Sequence, residues 1–145
     1  MLGDYSNILV PVDDSEQSNH AFKQAVSIAQ RNNAKLQLVF VEDNRNVTVA
    51  PEYTPIRSKD LTSHADTSFV DHLVAFGRGA GIEVESTIMN GNPMTLIAES
   101  LPNKLKTDLI VIGATGKGAV TRLFVGSVSD YVVKHAPCDV LVVRE

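Results

Sequence analysis

Short apolar runs alternate with stretches of helical periodicity from one end of the chain to the other. That alternation restricts the fold more than any single motif does. Asn7 to Val12 (Asn-Ile-Leu-Val-Pro-Val), Leu36 to Val41, Ile82 to Met89, Leu109 to Ile112 and Val140 to Val143 read as strands. Between them come helical segments. The first starts after Asp13-Asp14-Ser15, with Asp14 and Gln17 at capping-box spacing and Phe22, Ala25, Val26 and Ala29 on one face. The second runs from Asp60, with Leu61, Ala65, Phe69, Leu73, Phe76 and Ala80 in period, and closes at Gly79 and Gly81. A third opens at Asn92-Pro93 and carries Met94, Ile97, Ala98, Leu101 and Leu105. The fourth spans Ser127 to His135, with Val128, Tyr131 and Val132 inward.

The order β-α-β-α-β-α-β-α-β, with strands apolar almost throughout, predicts a parallel sheet covered by helices on both faces. Its crossovers are expected to be right-handed. The 145 residues form one domain, with residues 43–59, which hold two prolines and no clear period, expected as a flexible surface loop.

Composition narrows the function. Apolar residues make up 43% and charged residues 21%, enough for a core and a solvated surface. The net charge is -4 and the basic residues are scattered, which argues against nucleic acid as a partner. No apolar run approaches the about 20 residues needed to span a membrane. The first residues carry no basic region of a secretory signal, and the lone Cys138 suits a reducing compartment. A cytoplasmic protein is the expectation.

Two loops stand out at the carboxyl edge of such a sheet, where open α/β folds bind ligands. One follows the first strand (Pro11, Val12, Asp13, Asp14). The other follows the fourth and runs Gly113-Ala-Thr-Gly116-Lys-Gly118, then through Thr121-Arg122-Leu123 to Gly126-Ser127. Glycines there allow positive φ and close approach of a ligand, and successive amides in such turns make an anion cradle. Ser127 and Asp130 have capping-box spacing, so a helix start is expected at Ser127, its free amides favouring phosphate. The hydroxyls of Ser127 and Ser129 would add donors. A Cβ at position 126 is expected to enter the phosphate path.

Other motifs fit poorly. A Walker A loop would need glycine where Val111 stands and Ser or Thr where Gly118 stands. A dinucleotide fingerprint would follow the first strand. A phosphoacceptor receiver domain would need an aspartate after the third strand, which ends Ile88-Met89-Asn90, and a lysine after the fifth, which ends Val143-Arg144. His20, His64, His72 and His135 lack tight metal-ligand spacing. Asp14 reads as a helix cap, and Cys138 as a small core residue. No catalytic set of acid, base and nucleophile is evident.

The Gly113-x2-Gly116-x9-Gly126-Ser127 spacing resembles the ATP-binding signature of the universal stress protein family. The opening Ile-Leu-Val-Pro-Val-Asp-Asp-Ser, the Gly91-Asn-Pro93 turn and the closing Ala136-Pro-Cys-Asp-Val-Leu-Val-Val143 are similar to that family's elements. The resemblance implies a Rossmann-like α/β sheet of five parallel strands, order 3-2-1-4-5. It implies ATP as ligand, with Mg2+ or another divalent cation. Pro11, Val12 and Val41 would meet the adenine, and Asp13 the ribose or a metal-bound phosphate. Ile112 and Gly113 would lie beside ribose and phosphates, and Gly116, Gly126, Ser127, Val128 and Ser129 would hold the phosphates. A homodimer through Val140 to Val143 is also implied, and fits an apolar edge strand. The function expected is a nucleotide-binding stress regulator rather than an enzyme. A slow ATP hydrolase or phosphotransferase, using Asp13 and Lys117, and a nucleotide-free structural dimer are the alternatives.

Overall fold

The structure, a computed structural model, describes residues 4–43, 67–115 and 126–144. Five parallel strands form one sheet: β1 (Asn7–Val12), β2 (Lys35–Asp43), β3 (Val84–Gly91), β4 (Leu109–Gly113) and β5 (Asp139–Val143). Their spatial order is β3-β2-β1-β4-β5, as the resemblance implies. Helices α1 (Glu16–Asn32), α2 (Ser68–Gly79) and α4 (Ser127–His135) are regular. Helix α3 runs through Pro93–Thr95, Leu96–Ser100 and Leu101–Leu105.

Side chains alternate across the pleat, and each face of the sheet carries its own core. Ile8, Val10 and Val12 of β1 join Leu36, Leu38, Leu109 and Val111 beneath α1 and α2, around the fully buried Phe22. Leu9 joins Val39, Ile110 and Ile112 beneath Ile97, Ala98 and Leu101 of α3 and Val132 of α4. Being covered on both faces explains why β1 and β4 are apolar at successive positions.

The strands do not run together to their ends. β1 pairs with β2 along its whole length, from Asn7↔Lys35 to Val12↔Phe40. With β4 it pairs only at Ile8↔Leu109 and Leu9↔Ile110. Beyond that the two strands part, at the point where the strand order reverses. Pro11 lies past the last β1–β4 pair, where a missing N–H costs the ladder little.

Several local expectations are corrected. Ser15, not Asp14, caps α1: its hydroxyl accepts from the Ser18 amide at 3.1 Å. Asp14 instead takes a left-handed turn at φ 66, which a short polar residue tolerates. Gly126, not Ser127, is the N-cap of α4, and Ser127 is the first helical residue. Strand β3 begins at Val84 rather than Ile82, because the Ile82 amide still donates to Gly77 O at the close of α2. Gly81 makes that close with φ 83. The buried stripe of α2 is Val70, Leu73, Val74 and Gly77, an i, i+3, i+4, i+7 set, which turns Phe76 outward to 47% exposure. Lys23 Nζ stands 5.6 Å above the Phe76 ring.

Helix α3 holds a feature the periodicity hid. Pro102 sits inside it, buried, and lacks the amide that a regular turn would use. The turn before it is widened to a π-type stretch, with the Leu101 amide reaching back to Leu96 O. Of the loop expected over residues 43–59, Asp43 is the last residue of β2 and the rest lies outside the described residues.

Candidate functional site

The site candidates gather where β1 and β4 part. Pro11 and Val12 end β1, and Ile112 and Gly113 end β4, all buried. Val41 follows the Phe40 that pairs with Val12, and packs half-buried against the core beneath α3 and α4. Asp13 is held by its own loop. Its amide donates to Ser18 Oγ at 3.2 Å, and its Oδ1 accepts from the Ser15 amide at 3.1 Å. This turn fixes the carboxylate at the mouth of the split.

Helix α4 is docked directly on the end of β4. The Gly126 amide donates to Ala114 O at 2.7 Å, and the buried Ser129 hydroxyl donates to the same oxygen at 2.7 Å. Helix α4 therefore starts at the carboxyl edge of the sheet. The amides of Ser127, Val128 and Ser129 lie in its first turn, where no helical carbonyl stands behind them. Their partial positive charge suits an anion. Ser127 is exposed, and Val128 is half-buried against the apolar core.

Two expectations about this loop are revised. The one proton of the Ser129 hydroxyl faces backbone acceptors, Ala114 O at 2.7 Å and Gly126 O at 3.1 Å, so as a donor it fastens the helix rather than a ligand. A Cβ on Gly126 would lie 3.4 Å from Ala114 O and 3.6 Å from Thr115 Cα. It would sit in ordinary contact with the end of β4, so none of these protein atoms forbids a side chain there. Neither Gly113 nor Gly126 has positive φ. Gly113 is favoured by packing: a Cβ there would stand 3.1 Å from the Gln17 carbonyl carbon and 3.2 Å from its oxygen, a tight contact that α1 would have to relieve. Gly116, Lys117, Gly118 and Arg122 lie outside the described residues.

Gln17 is the site-adjacent residue that sequence reasoning missed as such. Its Oε1 accepts from the Thr115 amide at 3.0 Å, joining α1 to the loop after β4. Nothing local to Gln17 signals this, since its partner is 98 residues away. Among the described residues, no group of three or more His, Cys, Asp or Glu is arranged to hold a metal ion. No helix among them is long and apolar enough to cross a membrane.

Residues 4–144 match the model of the universal stress protein family. The chain belongs to that family. A Staphylococcus aureus protein assigned to the universal stress proteins is 39% identical over 141 residues, covering 97% of this chain and 84% of the relative. Universal stress protein UspA from Lactobacillus plantarum superimposes with TM-score 0.86 at 36% identity, covering 97% and 99% of the two chains. A universal stress protein solved in complex with cAMP superimposes with TM-score 0.69 at 25% identity, covering 97% and 98%. This family member therefore shares its fold with solved universal stress proteins that it matches over nearly their whole length.

Proposed function

We propose that this universal stress protein is a nucleotide-binding regulator that holds ATP across the split between β1 and β4. The observation that carries the reading is the docking of the α4 N-terminus on the end of β4, where its first-turn amides face the carboxyl edge beside the β1 loop. The adenine would lie against Pro11, Val12 and Val41. Asp13 would take the ribose hydroxyls or a divalent cation such as Mg2+ on the phosphates, and Ile112 and Gly113 would flank them. The phosphates would lie on the amides of Ser127, Val128 and Ser129, joined by Gly116 and Gly126. The family member solved with cAMP supports an adenine nucleotide as the class of ligand. Asp13 is an acidic group at this mouth, held by its own turn, which suits a holding role. The chain would work in the cytoplasm, where ATP is abundant.

A homodimer through β5 belongs to the same proposal. β5 is an edge strand of the described sheet and carries Leu141, 39% exposed, features that suit pairing with a second copy.

Isothermal titration of the purified chain with ATP and Mg2+ tests the binding. Saturable heat with near-equal stoichiometry is expected. Absence of heat with ATP, ADP, AMP and cAMP alike would remove the reading.

A further inference from the structure

One peptide unit at the site, Ala114–Thr115, has all its polar groups taken by distant parts of the chain. Its carbonyl accepts from the Gly126 amide and the Ser129 hydroxyl, both at 2.7 Å. Its N–H donates to Gln17 Oε1 at 3.0 Å. The Ala114 amide before it donates to Val143 O at 2.8 Å, so the chain enters this unit from a paired strand. A peptide is planar, and gripping it at both ends sets the rotation of the plane. The donor at Thr115 is a backbone N–H, so the Gln17 oxygen, not its nitrogen, must face it.

We propose that Gln17 is a positioning residue for the phosphate end of the nucleotide site. It acts through the Ala114–Thr115 peptide and touches no ligand itself. The inference rests on the nucleotide reading above. With the Thr115 N–H turned toward α1, the carbonyl of the same unit is turned toward α4. That carbonyl is where α4 is docked, through Gly126 and Ser129. Gln17 therefore sets the aim of the first-turn amides from the opposite face of the sheet. Gly113 allows the approach, because the missing Cβ lets the Gln17 backbone pass close over the end of β4. Helix α1 begins directly after the loop that carries Asp13, so the same contact ties the β1 loop to the β4 loop. The two halves of the site are held in register by this side chain.

Two variants test the role. Gln17→Met keeps the length and removes the acceptor, and Gln17→Asn keeps the amide but is too short to reach. Gln17→Glu keeps an acceptor for Thr115 and is the conservative control for the amide. Three quantities are measured: binding of ATP and of adenosine by titration, exchange of the Thr115 amide by NMR, and thermal unfolding. In Gln17→Met and Gln17→Asn, Thr115 exchange should accelerate and ATP affinity should fall about tenfold, while adenosine affinity is retained. Gln17→Glu should restore slow Thr115 exchange. A merely structural residue would lower ATP and adenosine affinity together, and that outcome overturns the proposal. So does unchanged ATP affinity once the Thr115 amide is freed. Failure of the underlying reading looks different: the unsubstituted protein would then bind neither ligand.

Discussion

The Ser129 hydroxyl donates to the carbonyl oxygen of Ala114 at 2.7 Å, across 15 residues of sequence, and is buried with 2% of its surface exposed. This bond and the Gly126 amide share one acceptor. Ser129→Ala should therefore cost about 1 kcal/mol, near the lower end for a buried hydrogen bond, because the carbonyl keeps a second donor. Thermal or urea unfolding measures it. A cost above about 3 kcal/mol would mean that the Gly126 bond does not survive alone.

Gly113 lies so close to Gln17 that a side chain there would press on α1. Gly113→Ala should destabilise by about 1–3 kcal/mol, the range for overpacking a tight contact. Gly126→Ala, whose Cβ would rest in ordinary contact with Ala114 and Thr115, should cost less. Denaturant unfolding of the two variants side by side gives the ranking. Equal costs would contradict the packing difference.

Cys138 is half-buried at the entry to β5, and its thiol is pushed from an ordinary 9.0 up to about 11. Burial is the main cause, with the carboxylates of Asp139 and Asp108 adding to it. Both folded and unfolded chains hold the proton below the ordinary value. Between that value and the raised one, the unfolded chain loses it while the folded chain keeps it, so stability falls as pH rises through the window. Alkylation by iodoacetamide should stay slow in the folded protein at about pH 9 and be fast in urea. A folded thiol that reacts as fast as the unfolded one at that pH would contradict the raised value.

The edge of β5 yields a prediction about assembly. Leu141→Lys puts a charge on an exposed position of the edge strand, a common device against strand pairing. The fold should be kept within about 0.5 kcal/mol, as for an ordinary surface change. The unsubstituted chain should run as a dimer by sedimentation and the variant as a monomer. A monomeric unsubstituted chain would sink the proposed interface.

Much of this was legible in the residues. The five strands and their parallel pairing follow from apolar runs alternating with helical period. Asn92 before Pro93 does cap α3, its Oδ1 accepting from the Met94 amide at 3.0 Å. The span Ser127–His135 was read to the residue. What was misread turns on choices between neighbours. Asp14 and Ser15 are both good caps, and the backbone turn at Asp14 decides between them. Phe76 and Val74 are both apolar, and only the packing of α2 on the sheet decides which is buried. Pro102 was overlooked because a period of apolar residues does not register a missing amide.

The sequence by itself determined the alternation, the apolar faces and the glycine spacing after β4, because each depends on residues near one another in the chain. Tertiary structure alone decided where those glycines act. Gly113 is explained by the backbone of Gln17 passing over it, while the Gly126 amide docks α4 on Ala114 O, a bond that any residue but proline could make. The Gln17–Thr115 bond joins residues 98 positions apart, and such a contact exists only once the sheet has brought β1 and β4 side by side. The physical reason is range. Periodicity and capping act within a few turns, whereas the shape of a site depends on hydrogen bonds and contacts that close across the whole fold.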